Sequence, residues 1–416
     1  MTSRREFLQG ATVATTAAAV ASSDAGQVAA AEWPQWRGPE RTGISREQGL
    51  MKQWPQGGPT LLWKAVGLGG GYSTPTVAGG RVYGMGYVGG NEVVWAVDAK
   101  SSNGLWMTPI ATANNRVGYG DGSRSSPTVD GNRLYVVGVS GDLTCLDTDG
   151  KVQWKRNFVS EFGGSVPGWG YCESPLVDGA IVVGTPGGRS AVMAGFNKQT
   201  GQTVWQAQAP QQLPAHYASP IAANLDGQRQ YVNFTGGGVV GVSTQGRVLW
   251  TNSFGSGNTA NCPTPIASGN FVFVAAGYGK GGVLLQIQGG QANQVYHTPA
   301  MVNHHGGIIL LGEHVYGFSD GGGLTCLNLR SGQVAWSDRS TGKCSLSFAD
   351  GMLYARAENR GTMTLVEANP QAFAARGRFE PPERSSKNTW PHPVVADGRL
   401  FLRDQDVLHC YAIRSS

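Results

Sequence analysis

A unit of about 40 to 52 residues returns eight times along this 416-residue chain, and that period limits its fold more than any local motif does. Each unit opens on a proline or small residue followed by β-branched residues and turns at glycine. A Val- and Tyr-rich strand and a strand ending in Asp or Asn follow, and a second turn leads into an aromatic residue. Five openings are Pro75-Thr76-Val77, Pro127-Thr128-Val129, Pro175-Leu176-Val177, Pro220-Ile221 and Pro265-Ile266. Three degenerate ones follow at Gly307-Ile308-Ile309, Leu346-Ser347-Phe348 and Pro393-Val394-Val395. The closing aromatics are Trp106, Trp154, Trp205, Trp250, Tyr296, Trp336 and Phe379, one fewer than the openings. The last unit, ending in Leu408-His409-Cys410-Tyr411-Ala412, lacks a closing strand, whereas Leu61-Leu62-Trp63-Lys64 stands before the first opening as an orphan tryptophan strand. Pairing the two closes a ring and removes the edge that an open array of sheets exposes. The expected fold is all-β: an eight-bladed β-propeller of four-stranded antiparallel blades over residues 61–416, closed by the N-terminal strand and preceded by a lead segment at 32–60.

Composition agrees with many tight turns between short strands. Glycine contributes 63 residues, roughly twice its usual share of ~7%, while charged residues make up only 14%. The net charge of +5 is not gathered into a Lys/Arg run, so no nucleic-acid or anionic-membrane partner is expected. Ser3-Arg4-Arg5-Glu6-Phe7-Leu8, the weakly apolar Ala11 to Ala21 and the small residues Ala29-Ala30-Ala31 resemble a twin-arginine export signal over residues 1–31. The expectation is a periplasmic or secreted protein with no integral membrane segment once the signal is cleaved. Retention of the signal as an anchor is the alternative.

Ala96-Val97-Asp98 to Trp106, and Cys326-Leu327-Asn328-Leu329-Arg330-Ser331-Gly332-Gln333-Val334-Ala335-Trp336, resemble the A-x-D-x-x-T-G-x-x-x-W docking motif of the quinoprotein propellers. Trp33-Pro34-Gln35-Trp36-Arg37-Gly38-Pro39, Pro167 to Pro175, His304-His305-Gly306-Gly307 and Leu402 to Asp406 are similar to exported bacterial proteins with pyrroloquinoline-quinone-like (PQQ-like) repeats. The resemblance extends over nearly all of residues 33 to 414. In repeat pattern it reaches both the quinoprotein alcohol dehydrogenases and the propeller subunit of the outer-membrane assembly machinery, so it implies a fold more than an activity.

Six cysteines in an exported chain invite a disulfide framework, but their repeat positions argue for free, mostly buried thiols. Cys145, Cys326 and Cys410 hold the same third-strand position in units two, six and eight. Cys172, Cys262 and Cys344 precede the inner strands of units three, five and seven, again in non-adjacent blades, whereas a disulfide needs Cα atoms within ~7 Å. The dehydrogenases often stack their quinone on a disulfide between neighbouring cysteines, and this chain has neither a Cys-Cys pair nor a C-x-x-C-H haem site.

In a propeller the loops leading into the innermost strands ring the channel mouth. Here they carry Arg124; Trp169, Tyr171 and Glu173; His216 and Tyr217; Asn261; His304 and His305; Lys343; and Trp390 and His392. Cations, a carboxylate and stacking aromatics suit a small anionic or planar ligand. His304-His305 read as metal ligands, a general base or hydrogen-bonded structure, and on an extended strand the two would face opposite sides. Glu173 beside Arg124 reads as a base held by a cation or as a charge pair between blades. Trp169 and Trp390 read as cofactor platforms or as packing. No catalytic residue or metal site is assigned. The leading function is a non-catalytic binding or scaffold protein for a protein partner or small ligand. The alternative is a dehydrogenase oxidising an alcohol or sugar with PQQ and Ca2+, and a propeller hydrolase, lyase or sugar-binding protein is a third class.

Overall fold

The computed structural model describes residues 31–257 and 259–415, so the expected export signal at 1–31 falls outside the described residues except at Ala31. Thirty-two strands among them form eight four-stranded antiparallel sheets arranged as a β-propeller. The first blade comprises Thr76–Ala78, Arg81–Val88, Asn91–Asp98 and Gly104–Thr112, innermost to outermost. The eighth has three consecutive strands, Val394–Ala396, Arg399–Asp404 and Val407–Ala412, and takes Leu61–Ala65 as its fourth, with Trp63 opposite Cys410. The expected closure is thus the one observed. Period-2 alternation of Val, Leu, Tyr and Phe gives each sheet two apolar faces, and eight buried clusters result, one in each interface between successive blades.

The closing aromatics join one blade to the next. Trp63, Trp106, Trp154 and Trp336 donate their indole N–H to the carbonyls of Ala99, Thr148, Lys198 and Asn369, each in the turn after the third strand of the following blade, at 3.2, 2.9, 3.1 and 2.7 Å. The Tyr296 hydroxyl does the same to Leu329 at 2.7 Å. Asp98, Asp147, Asn197 and Asn328, at the ends of third strands, accept from the turn's own backbone N–H groups and hold its shape. Glycine then lets the ring lie flat on the turn: a Cβ on Gly150 would sit 2.6 Å from Trp106, and one on Gly201 2.6 Å from Trp154. On its own blade each tryptophan faces a small residue: Ala96, Cys145, Gly195, Gly241, Cys326 or Cys410. The smaller Tyr296 and Phe379 face Leu284 and Met363. Three cysteines are therefore slot residues beneath an indole, and all six are free.

The lead segment crosses the channel. Trp33 pairs with Val77 of the first inner strand, the Pro34 carbonyl accepts from Val129 of the second, and Gly43 and Ser45 pair with Phe348 of the seventh. Arg41 donates to the carbonyls of Ser174 and Pro175, while Arg37 reaches those of Ile308 and Thr42. Both guanidiniums are almost fully buried. Burial lowers them to about 10 and about 9, which leaves both charged at neutral pH. This segment seals one end of the channel.

Gly201→Val is expected to destabilise the fold by about 2–4 kcal/mol, because it adds a left-handed backbone penalty at φ 72° to a clash with Trp154. Gly227→Val, at φ 75° in open space, carries only the backbone part. Equal losses for the two in thermal or denaturant unfolding would contradict the docking role of the glycine.

Candidate functional site: an aromatic cavity at the open end of the channel

Opposite the lead segment the entry loops converge on a cavity of about 250 Å³. Its floor is Trp36, whose indole N–H donates to Thr264 Oγ1 at 2.8 Å and whose ring centroid lies 4.7 Å from that of His392. Eight of the twelve expected mouth residues line it: Arg124, Trp169, Tyr217, His304, His305, Lys343, Trp390 and His392. Tyr171, Glu173, His216 and Asn261 do not.

The reason is the alternation of an extended chain. Cys172 faces the cavity, so Tyr171 and Glu173 on either side of it face away. The Tyr171 ring packs on Phe158, and its hydroxyl donates to Pro186 O at 2.9 Å. Glu173 accepts from Thr185 N at 2.6 Å, and the cation facing it is Arg41 rather than the expected Arg124. Tyr217 likewise turns inward and His216 outward, where its Nδ1 accepts from Asn261 N at 3.3 Å. Cys262 turns inward and Asn261 outward, donating its amide to Thr235 O and Gly255 O. Arg124 is anchored on the carbonyls of Gly118, Tyr119 and Gly122 and lies 5.6 Å from the Tyr72 ring centre. His304 and His305 occupy a bend rather than a strand, which lets both face the cavity with ring centroids 5.1 Å apart.

Tyr72, Tyr119, Tyr278 and Glu358 also line the cavity and were not among the expected residues. Tyr72 lies in the entry loop of the first blade. Tyr119 and Tyr278 each stand between two glycines, Gly118-Tyr119-Gly120 and Gly277-Tyr278-Gly279, a signal present in the sequence. Glu358 follows the second strand of the seventh blade and carries no local motif.

Several of the polar groups pair with one another, whereas both ring nitrogens of His305 and Nδ1 of His392 are buried without a hydrogen-bond partner. Glu358 Oε1 accepts from Trp390 Nε1 at 2.8 Å and lies 3.4 Å from His305 Nε2. Burial pushes the Glu358 carboxyl up, but His305, the Trp390 indole and Lys343 outweigh it and hold the group at about 2. Lys343 Nζ lies 2.9 Å from His304 Nδ1 and 3.0 Å from Asp320 Oδ1. Burial, with the neighbouring His305 and Lys343, lowers His304 to about 4, and burial first, then the Arg37 charge, lowers His392 to about 3. Burial raises the thiols, Cys172 to about 12 and Cys262 further, so neither is a thiolate nucleophile at neutral pH. Calcium takes six to eight oxygen ligands, whereas the lining offers one carboxylate, and no three His, Cys, Asp or Glu among the described residues gather around a metal position. The donor set does not fit the calcium that accompanies the quinone.

Residues 90–338 match the family model described as outer membrane protein assembly factor BamB. The chain belongs to this family of PQQ-like propellers. Outer membrane protein assembly factor BamB of Burkholderia pseudomallei (strain K96243) is 30% identical over 194 residues, a match spanning 45% of this chain and 44% of that relative. The chain therefore spans under half the length of the curated relative it matches. BamB from Moraxella catarrhalis superposes with a TM-score of 0.56 at 15% identity, covering 80% of this chain and 94% of that one. Quinohemoprotein alcohol dehydrogenase from Comamonas testosteroni superposes with a TM-score of 0.68 at 12% identity, covering 92% and 81%. At these identities both likenesses bear on fold alone.

Buried ionisable groups give the family fold here a distinct pH response. Burial raises Glu92 and Glu173 to about 7, although backbone N–H donors oppose it. Between ~4.3, the unfolded value, and about 7 the folded chain holds protons that the unfolded chain has lost, so stability from these groups falls as pH rises. His216, His304, His392 and His409, lowered by burial to about 4, 4, 3 and 4, act oppositely: their contribution rises with pH up to ~6.5. Glu173→Gln is expected to gain stability relative to the parent on going from about pH 5 to about pH 8. Identical melting-temperature differences at the two pH values would rule this out.

Proposed function

We propose that this chain is a non-catalytic binding propeller working outside the cytoplasm, which captures a small ligand or an exposed segment of a protein partner in the cavity. The observation that carries this reading is a blind, aromatic-walled cavity whose lysine and carboxylate are already engaged by neighbouring side chains. Lys343 is held by His304 and Asp320, Glu358 by Trp390, and the two thiols stay protonated. Turnover needs a nucleophile or base free to exchange a proton with substrate; binding needs shape, apolar faces and a few fixed polar groups. Membership of the BamB family supports the scaffold sense of the reading, and the twin-arginine-like leader supports export.

Reconstitution with PQQ and Ca2+ should give no calcium-dependent dye reduction with alcohols or sugars; robust reduction that Trp390→Ala abolishes would replace this reading with the dehydrogenase. For export, Arg4→Lys combined with Arg5→Lys should leave the protein in the cytoplasmic fraction, and unchanged fractionation would remove the twin-arginine route.

A further inference from the structure

The shape of the cavity says more about its occupant than its charge does. Its far end is closed by the lead segment, with Trp36 as floor, so a polymer cannot pass through and only an end can enter. Its rings are tilted against one another rather than paired in parallel: Tyr72 meets Trp390 at 41°, His305 meets Trp390 at 52°, and Trp169 meets Tyr217 at 64°. These rings are neighbours in the wall, with centroids 4.5 to 5.5 Å apart, so successive faces turn inward at an angle and form a bowl that offers C–H contacts to a saturated ring from several directions.

Hydrogen-bonding groups are distributed round that bowl. Thr74 Oγ1 accepts from His392 N, and Ser219 Oγ accepts from Ser174 N, each at 2.9 Å, which leaves both hydroxyl hydrogens to donate. Glu358 is held ionised and uses one oxygen on Trp390, leaving the other to accept, while Lys343 supplies a donor. A ligand rich in hydroxyl groups, each both donor and acceptor, matches this set.

The rim adds an independent observation. Tyr119 and Tyr278 are each 52% exposed, and their backbones are left-handed, at φ 51° and 56°. Eight other non-glycine residues among those described share that region, so what marks these two rings is their exposure at the rim. Tyr119 stands edge-on to Trp390 with centroids 4.8 Å apart, and Tyr278 edge-on to His304 at 5.0 Å, so the wall continues outward as two aromatic faces.

We infer that the cavity takes the terminal sugar unit of a glycan, with Tyr119 and Tyr278 as the platform for the unit that follows it. The inference rests on the binding reading of the cavity given above. A free monosaccharide and a chain end share the chemistry of the inner unit; the rim tells them apart.

The test is titration of the full chain, by calorimetry and tryptophan fluorescence, with D-glucose, D-galactose, D-glucuronate and N-acetyl-D-glucosamine and with cellobiose and N,N′-diacetylchitobiose, alongside a printed glycan array. At least one sugar should bind, with the disaccharide tighter than its monosaccharide. Trp390→Ala should weaken binding of both by roughly tenfold or more, and Trp390→Phe, which keeps a ring, by less. Tyr119→Ala with Tyr278→Ala should weaken the disaccharide roughly tenfold and the monosaccharide by less than about twofold. Melting temperatures identify any variant that fails to fold. Saccharide binding that survives Trp390→Ala, or no saccharide binding in either format, overturns the inference. If PQQ without calcium then binds in a Trp390-dependent manner, the binding reading stands without the sugar; if neither class binds, the sugar inference falls and the binding reading is confined to a protein partner.

Discussion

The contact on which the propeller depends is an aromatic ring lying on the glycine turn of the next blade. The indole of Trp154 covers Gly201 and donates to Lys198 O, and the same arrangement recurs at Trp106 over Gly150. A chain that repeats this contact around a ring is stabilised in its interfaces rather than in a central core. The eight apolar clusters, each shared by two blades, express the same economy. So do the cysteines: Cys145, Cys326 and Cys410 occupy the narrow place opposite a tryptophan, where alanine or glycine serves in other blades.

Sealing one end of the channel gives the other end its character. Arg37 and Arg41 carry positive charge into the channel and spend it on backbone carbonyls of blades on opposite sides, binding the lead segment to the ring it crosses. Trp36, between those anchors and the cavity, becomes a floor. The walls come from entry loops in which every second residue turns inward, so a modest set of short loops builds a dense aromatic enclosure without long insertions.

Blade number, strand order and ring closure were all legible in the sequence, because enough blades repeat the order of proline, glycine, Asp or Asn, and aromatic residue to set the period, and because a count of seven closing aromatics against eight openings leaves one strand to find. The site was legible only in part. Choosing polar and aromatic residues from the entry loops found Trp169, Tyr217 and Trp390, but chemical type does not reveal the phase of a strand, and Tyr171, Glu173, His216 and Asn261 fall on its other side. Glu358 came from a hairpin with no motif, and Arg41 from a lead segment whose contacts are all distant in sequence. The glycine-flanked Tyr119 and Tyr278 were visible as patterns, although only their exposure at the rim gives those patterns meaning.

Pairing Leu61–Ala65 with Val407–Ala412 joins residues about 345 positions apart, and the lead segment adds hydrogen bonds to six of the inner strands or their entry loops. Such contacts raise the contact order far above that of the blades themselves, each of which is a local meander able to form as it emerges from the ribosome. Leu61–Ala65 is synthesised before every blade yet can pair only once Val407–Ala412 is complete. The last seam of the ring is therefore made from the two ends of the described chain, and any agent that holds Leu61–Ala65 holds that seam open.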